Sequence, residues 1–169
     1  SGYSVDLSAD GSVVAIGAFY NSATGKQSGH VRIYQNKNGT WEKIGDDIDG
    51  EAAGDQSGNS VSLSVDGSVV AIGAHGHDFG RGHVRIYQNN NGTWQQIGDD
   101  IDGEAAGDGA GSSVSLSSDG SVVAIGAHLN DGDVDGERSG HVRIYQNNNG
   151  TWEKVGEDID GEAIGDQSG

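Results

Sequence analysis

The chain has 169 residues, with 26 acidic against 9 basic side chains, a formal charge of −17, 31 Gly, and no Pro, Cys or Met. Nucleic acid and anionic membrane surfaces are poor partners for such a chain, because both are held by clustered Lys and Arg. No apolar run approaches the roughly 18 residues of a membrane span, so direct membrane insertion is not expected, and the absence of Cys removes disulfides, thiolate catalysis and Cys-type zinc sites.

Self-similarity organises the rest. Val-Val-Ala-Ile-Gly-Ala begins at Val13, Val69 and Val122; His-Val-Arg-Ile-Tyr-Gln-Asn begins at His30, His83 and His141; Gly-Thr-Trp ends at Trp41, Trp94 and Trp152. The Trp spacings of 53 and 58 residues exceed those of leucine-rich, ankyrin and tetratricopeptide units and fall near that of a four-stranded propeller blade. The repeats run over 1–56, 57–109 and 110–167, and 168–169 resemble the start of a further one.

The second repeat displays the elements in order. Ser60 to Ser64 alternates small polar with apolar residues, the period of a half-buried strand, and Asp66-Gly67 turns the chain. Val69 to Ile72 is a short apolar run between glycines, which predicts a central strand covered on both faces. In His83 to Tyr87 the residues alternate in direction, with Val84 and Ile86 on one side, and Asn91-Gly92 supplies a tight hairpin to a fourth strand, Thr93 to Ile97. Trp94 and Ile97 have opposite parity there, which predicts an irregular or bulged outer edge. Between the second and third strands lie loops of ten (Phe19 to Ser28), seven (His75 to Arg81) and twelve residues (His128 to Ser139), a variable segment on a constant frame. No helical period extends over ten residues. The expected fold is all-β: three four-stranded antiparallel repeats of β-propeller type, cut from a larger propeller or tandem array, with a homodimer closing six blades as the second choice.

Fifteen acidic residues recur in one connection, at 46, 47, 49, 51 and 55 and at the equivalent positions of the other repeats. Asp47, Asp49 and Glu51 place hard oxygen donors two residues apart around a Gly turn, a beginning for Ca²⁺. The same carboxylates are suited to capping turns or pairing with Arg32, Arg85 or Arg143. Asp131, Asp133 and Asp135, before Gly136, open like a calcium loop, although position twelve is Val142 where a bidentate Glu is wanted. Calcium is the only cofactor these patterns suggest. Asn38, Asn91 and Asn149 each head an Asn-Gly-Thr sequon at a hairpin tip and are candidate glycosylation sites, while Asn-Gly also serves the turn itself. The equivalent His30, His83 and His141 are expected to be spread around the assembly, leaving His75 and His77 as the only close pair in sequence.

The string Gly-x-Ser-Val-Ser-Leu-Ser-x-Asp-Gly-Ser-Val-Val-Ala-Ile-Gly-Ala, followed by Gly-His-Val-Arg-Ile-Tyr, resembles the FG-GAP repeat of integrin α-subunit-like β-propellers over nearly the whole chain. It is most similar to the divergent form found in large surface proteins of microbes and algae. The resemblance implies an extracellular or cell-surface location and a binding or structural role without catalysis. Ser57 and Ala110 replace the family's Phe, and Val70 replaces an oxygen donor of its calcium loop, so Asp10, Asp66 and Asp119 are read as turn residues.

The expected function is a non-enzymatic repeat module for adhesion, for protein or glycan binding, or for building a surface layer or filament by self-association with further copies or repeats. The alternatives are a metal-dependent hydrolase or lyase using the acidic loops, a calcium-stapled structural module, and a WD-type intracellular interaction propeller, whose period is shorter and whose Trp-Asp pair this chain lacks.

Overall fold

The computed structural model describes residues 2–130, 138–163 and 165–169. Its strands form three antiparallel sheets in chain order. The first contains β1 (Val5–Leu7), β2 (Val13–Gly17), β3 (His30–Lys37), β4 (Thr40–Lys43) and β5 (Ile48–Asp49). The second contains β6 (Ser60–Leu63), β7 (Val69–Ala74), β8 (His83–Asn90), β9 (Thr93–Gln96) and β10 (Ile101–Asp102). The third contains β11 (Ala110–Leu116), β12 (Val122–Ala127), β13 (His141–Asn148), β14 (Thr151–Lys154) and β15 (Ile159–Asp160). In each, the first four strands pair in sequence order, so the fold is all-β and built of propeller-type blades, as expected. A helical turn at His77–Gly80 is a local kink, with Asp78 and Phe79 at φ 44° and 59°. Among the described residues no helix is long and apolar enough to cross a membrane.

The edge differs in detail from the expected single fourth strand. β4 pairs with the far half of β3, and β5 returns to pair with its first two residues, His30 opposite Asp49 and Val31 opposite Ile48. A short fifth strand therefore exists in every sheet, and the acidic loop between β4 and β5 bulges beside the third strand. The bulge expected from the opposite parity of Trp94 and Ile97 is not found: β9 pairs with β8 in an unbroken register, and the two side chains simply face opposite ways, Trp94 toward the first sheet and Ile97 toward the third.

Two apolar layers hold the sheets face to face. Val13, Ala15, Val31, Ile33 and Ile48 of the first meet Val61, Leu63, Val70, Ile72 and Tyr87 of the second. Val69, Ala71, Val84, Ile86 and Ile101 then meet Ala110, Val123, Ile125 and Ala127 of the third. Each fully buried Val or Ile contributes about 1.5–3 kcal/mol relative to exposure, and β7 is buried along its whole length. The glycine in the Val-Val-Ala-Ile-Gly-Ala block lets the next sheet approach, since a Cβ on Gly17 or Gly73 would overlap the carbonyl oxygen of Gly58 or Gly111. The Ser-x-Asp-Gly-Ser turns close as predicted. Asp66 Oδ1 accepts from Ser64 Oγ, Ser68 N and Ser68 Oγ, and Val69 N donates to Ser64 Oγ. Asp10 and Asp119 do the same, and these bonds hold both carboxyls at about 2.

Candidate functional site

The pairing of β5 with the start of β3 brings the acidic connection against the first residue of the third strand, and this repeats in every blade. His30, His83 and His141 are buried there, with Nδ1 at 3.6, 3.5 and 3.9 Å from an oxygen of Asp47, Asp100 and Asp158. Two residues along the strand stands an Arg. Arg32 Nε donates to Asp47 at 2.8 Å, and Arg143 donates to Asp158 through Nε and a terminal nitrogen at 3.0 and 2.8 Å. Lys43 and Lys154 reach the second oxygen of the same carboxylates, while Gln96 takes that place at Asp100. Desolvation pushes the Asp158 carboxyl up, but the bonds from Arg143 and Lys154 outweigh it and bring it to about 2. Burial drives all three imidazoles down, and His83 reaches about 4 with the charges of His77 and Arg85 adding to the effect.

The arginines also cross between blades. Arg85 donates to the Asp49 carbonyl at 2.7 Å and lies 3.6 Å from Glu51; Arg143 pairs with Glu104. Of the residues the sequence nominated for calcium, Asp47 is thus taken by Arg32 and Lys43, and Glu51 by the next blade. The Asp49 side chain lies 4.0 Å from His30. The structure does not gather these three around one point. Asp131, Asp133 and Asp135 lie outside the described residues.

The three strand histidines stand apart, one per blade, but the kink at His77–Gly80 stacks His77 on His83 with ring centroids 4.0 Å apart, a contact that spacing within one repeat did not reveal. His77 Nδ1 lies 3.1 Å from Asp55 Oδ1. Ligand atoms of Glu51, His77 and His83, and of Glu104, His141 and Asp158, cluster within 4.8 Å. These nitrogen-containing sets do not suit Ca²⁺. Arg85 stands beside Glu51 and Arg143 bonds both Glu104 and Asp158, so a cation would have to displace a guanidinium that already neutralises the carboxylates.

The described parts of the variable loops share one rim. Gly54 N donates to Lys26 O and Gly109 N to Gly80 O, which ties the first and second loops to the connection that follows them, while Gly76 N donates to Asp55 O and Leu129 N to Asp108 O, which ties the second and third loops to the connection that precedes them. Tyr3, Phe19 and Tyr20 stack there beside a cleft of about 690 Å³ that His30 and Arg32 also line, and Phe79 stands almost fully exposed at the tip of the second loop. Asn38, Asn91 and Asn149 are exposed at the hairpin tips with φ near 54°, 51° and 52°, each followed by a Gly whose N–H is held by Asn36, Asn89 or Asn147.

No protein-family model and no curated protein matches this chain. Solved structures do. A protein from Bacteroides uniformis provisionally assigned as a 6-phosphogluconolactonase aligns with TM-score 0.64 at 15% identity, over 95% of this chain and 41% of its own. TolB from Acinetobacter baumannii aligns with TM-score 0.51 at 16% identity, over 91% of this chain and 32% of its own. The chain thus spans less than half the length of either. At these identities the likeness concerns the fold, and it agrees with the sheet order: the chain is a run of three β-propeller-type blades.

Proposed function

We propose that the chain is a non-enzymatic interaction module of an extracellular or cell-surface protein of the FG-GAP kind, and that its variable loops take a protein or glycan ligand. One observation carries this reading: the described parts of loops that differ in length and sequence lie side by side on one rim of a frame that is otherwise repeated nearly residue for residue. Tyr20 and Phe79, both exposed on that rim, are the aromatic anchors. The non-enzymatic reading is supported by the Arg and Lys partners that hold Asp47 and Asp158, the carboxylates nearest His30 and His141. The lactonase assignment of one structural neighbour is not carried over, because the likeness at 15% identity is one of fold.

Panels of immobilised glycans and extracellular proteins, probed with the chain and with a Y20A/F79A variant, test the reading. The expected result is a ligand whose binding weakens at least about tenfold in the variant. Ligands held equally by both forms would remove the loops from the function. Turnover of an ester or glycoside that disappears in a D47N/D49N variant would establish the enzyme instead. Secretion from a glycosylating host is expected to add N-glycans at Asn38, Asn91 and Asn149, read as mass lost on enzymatic deglycosylation.

A further inference from the structure

His83 is a buried polar side chain that the fold itself does not satisfy. It is fully buried, and neither ring nitrogen has a hydrogen-bond partner; of its two counterparts, His30 leaves only Nδ1 in that state and His141 leaves neither nitrogen. Asp100 stops 3.5 Å from His83 Nδ1. Buried polar groups are as a rule paired, and each exception calls for a reason.

Around this residue the second blade departs from the other two. In the first and third, an Arg and a Lys hold the carboxylate beside the histidine: Arg32 and Lys43 hold Asp47, Arg143 and Lys154 hold Asp158. In the second, Gln96 stands in place of the Lys, and Arg85 turns to the Asp49 carbonyl, so among the described residues no Arg or Lys pairs with Asp100. The same blade adds a second imidazole. His77 stacks on His83, and Asp55, itself fixed by Ala52 N at 2.7 Å, accepts from His77 Nδ1 at 3.1 Å, which leaves Nε2 as the lone-pair nitrogen of that ring. Glu51 arrives from the preceding blade, and its oxygen lies within 4.8 Å of a nitrogen of each ring.

We propose that Glu51, His77 and His83 bind a divalent transition ion of the zinc class at the boundary between the first and second blades. Two imidazoles and a carboxylate are the donors such ions take, whereas Ca²⁺ and Mg²⁺ want oxygen alone. The carboxylates of Glu51, Asp55 and Asp100 stand against one guanidinium, that of Arg85, which leaves two negative charges for a divalent ion to cancel. Little of Arg85 is displaced, because its 2.7 Å bond goes to the Asp49 carbonyl and only the 3.6 Å contact with Glu51 is given up. At Glu104, His141 and Asp158, by contrast, Arg143 bonds both carboxylates and Lys154 holds one, so the ion belongs to the first cluster alone. A ring nitrogen directs its lone pair in the ring plane, so binding tilts His77 out of its stack, which its partly exposed place at the loop kink permits. Glu51 is exposed, His77 half-buried and His83 buried, and the ion enters along that gradient. Once bound, it ties the second variable loop to the preceding blade. The proposal is independent of any loop ligand.

Equilibrium dialysis of the metal-free chain against Zn²⁺ tests it, with E51Q and H77Q as ligand variants and H75Q as a control. Neither Glu51 nor His77 is buried, so both ligand variants should keep the far-UV circular dichroism of the parent. The expected results are one Zn²⁺ held per chain, an affinity at least about tenfold weaker in E51Q and in H77Q, and parent-like affinity in H75Q. Zn²⁺ should shift the imidazole resonances of His77 and His83 together, and Ca²⁺ should not compete. Absence of stoichiometric uptake by the parent overturns the proposal. So does parent-like affinity in E51Q or H77Q, or a loss in H75Q as large as in H77Q, which would move the ion to the His75 and His77 pair.

Discussion

The strands Val13–Gly17 and Val69–Ala74 begin with the same five residues, and their burial differs. In the second sheet every residue of the strand is buried; in the first, burial alternates, with Val14 and Ile16 half-open. The third sheet's Val122–Ala127 alternates in the opposite phase over its first four residues, with Val122 and Ala124 half-open. The backbone pairing is the same in all three, Val13 opposite Gln35, Val69 opposite Gln88 and Val122 opposite Gln146. The lesson is that a strand's sequence sets which residues face each way, while the number of neighbouring blades sets what each face is worth.

Substitution at equivalent positions should measure that difference. Ile72→Ala, which empties a site closed on all sides, is expected to cost about 2–5 kcal/mol, whereas Ile16→Ala, on an uncovered face, should cost less than half as much; denaturant unfolding of the two variants reads the contrast. Equal losses would mean that the face of the first sheet is covered in solution.

Arg85 and Arg32 form the next pair. Arg85 is buried and bonded across the blade boundary to the Asp49 carbonyl, so Arg85→Ala should cost about 1–3 kcal/mol by leaving that acceptor unpaired. Arg32→Ala removes a half-exposed, solvent-screened ion pair with Asp47 and should cost clearly less than Arg85→Ala in the same denaturant unfolding measurement.

A smaller effect follows pH. With its folded value near 4 against 6.5, the His83 imidazole stays neutral in the folded chain while the unfolded chain takes up a proton, so stability is fully present above about 6.5 and falls as pH drops toward 4. His83→Gln should flatten the melting temperature over that window relative to the parent. Further acidification toward 2 should then remove the contribution of Asp158, whose folded value is depressed and whose stabilisation exists only above its unfolded value.

The smallest effect concerns calcium removal. Since Asp47 and Glu51 are already engaged by Arg and Lys side chains, chelating Ca²⁺ added to the metal-free chain should leave the contribution of this connection to the melting temperature unchanged. A drop on chelation that Asp131→Asn and Asp133→Asn abolish would place a stabilising cation in the third variable loop instead.

Much of the architecture was legible because the chain repeats itself. The strand order, the Asp-Gly and Asn-Gly turns and the pairing of acidic connections with strand arginines follow from local alternation and turn chemistry applied three times. The fifth strand was not legible: two residues such as Ile48-Asp49 carry no period of their own, and they pair only because β3 extends past the end of β4. The stacking of His77 on His83 was hidden for a similar reason, since it depends on a left-handed kink at Asp78 and Phe79, and Phe is not a residue type that advertises positive φ.

By itself, the amino-acid order determined the all-β class, the blade period and the two kinds of face that each blade presents, because alternation, turns and glycine placement act within a few residues of one another. Tertiary structure decided which of those faces are covered, which carboxylate each arginine takes, and where the tryptophan donors find their carbonyls. Those contacts join residues 36, 50 and 55 positions apart in the chain, and only the stacking of one sheet on the next brings them within bonding distance.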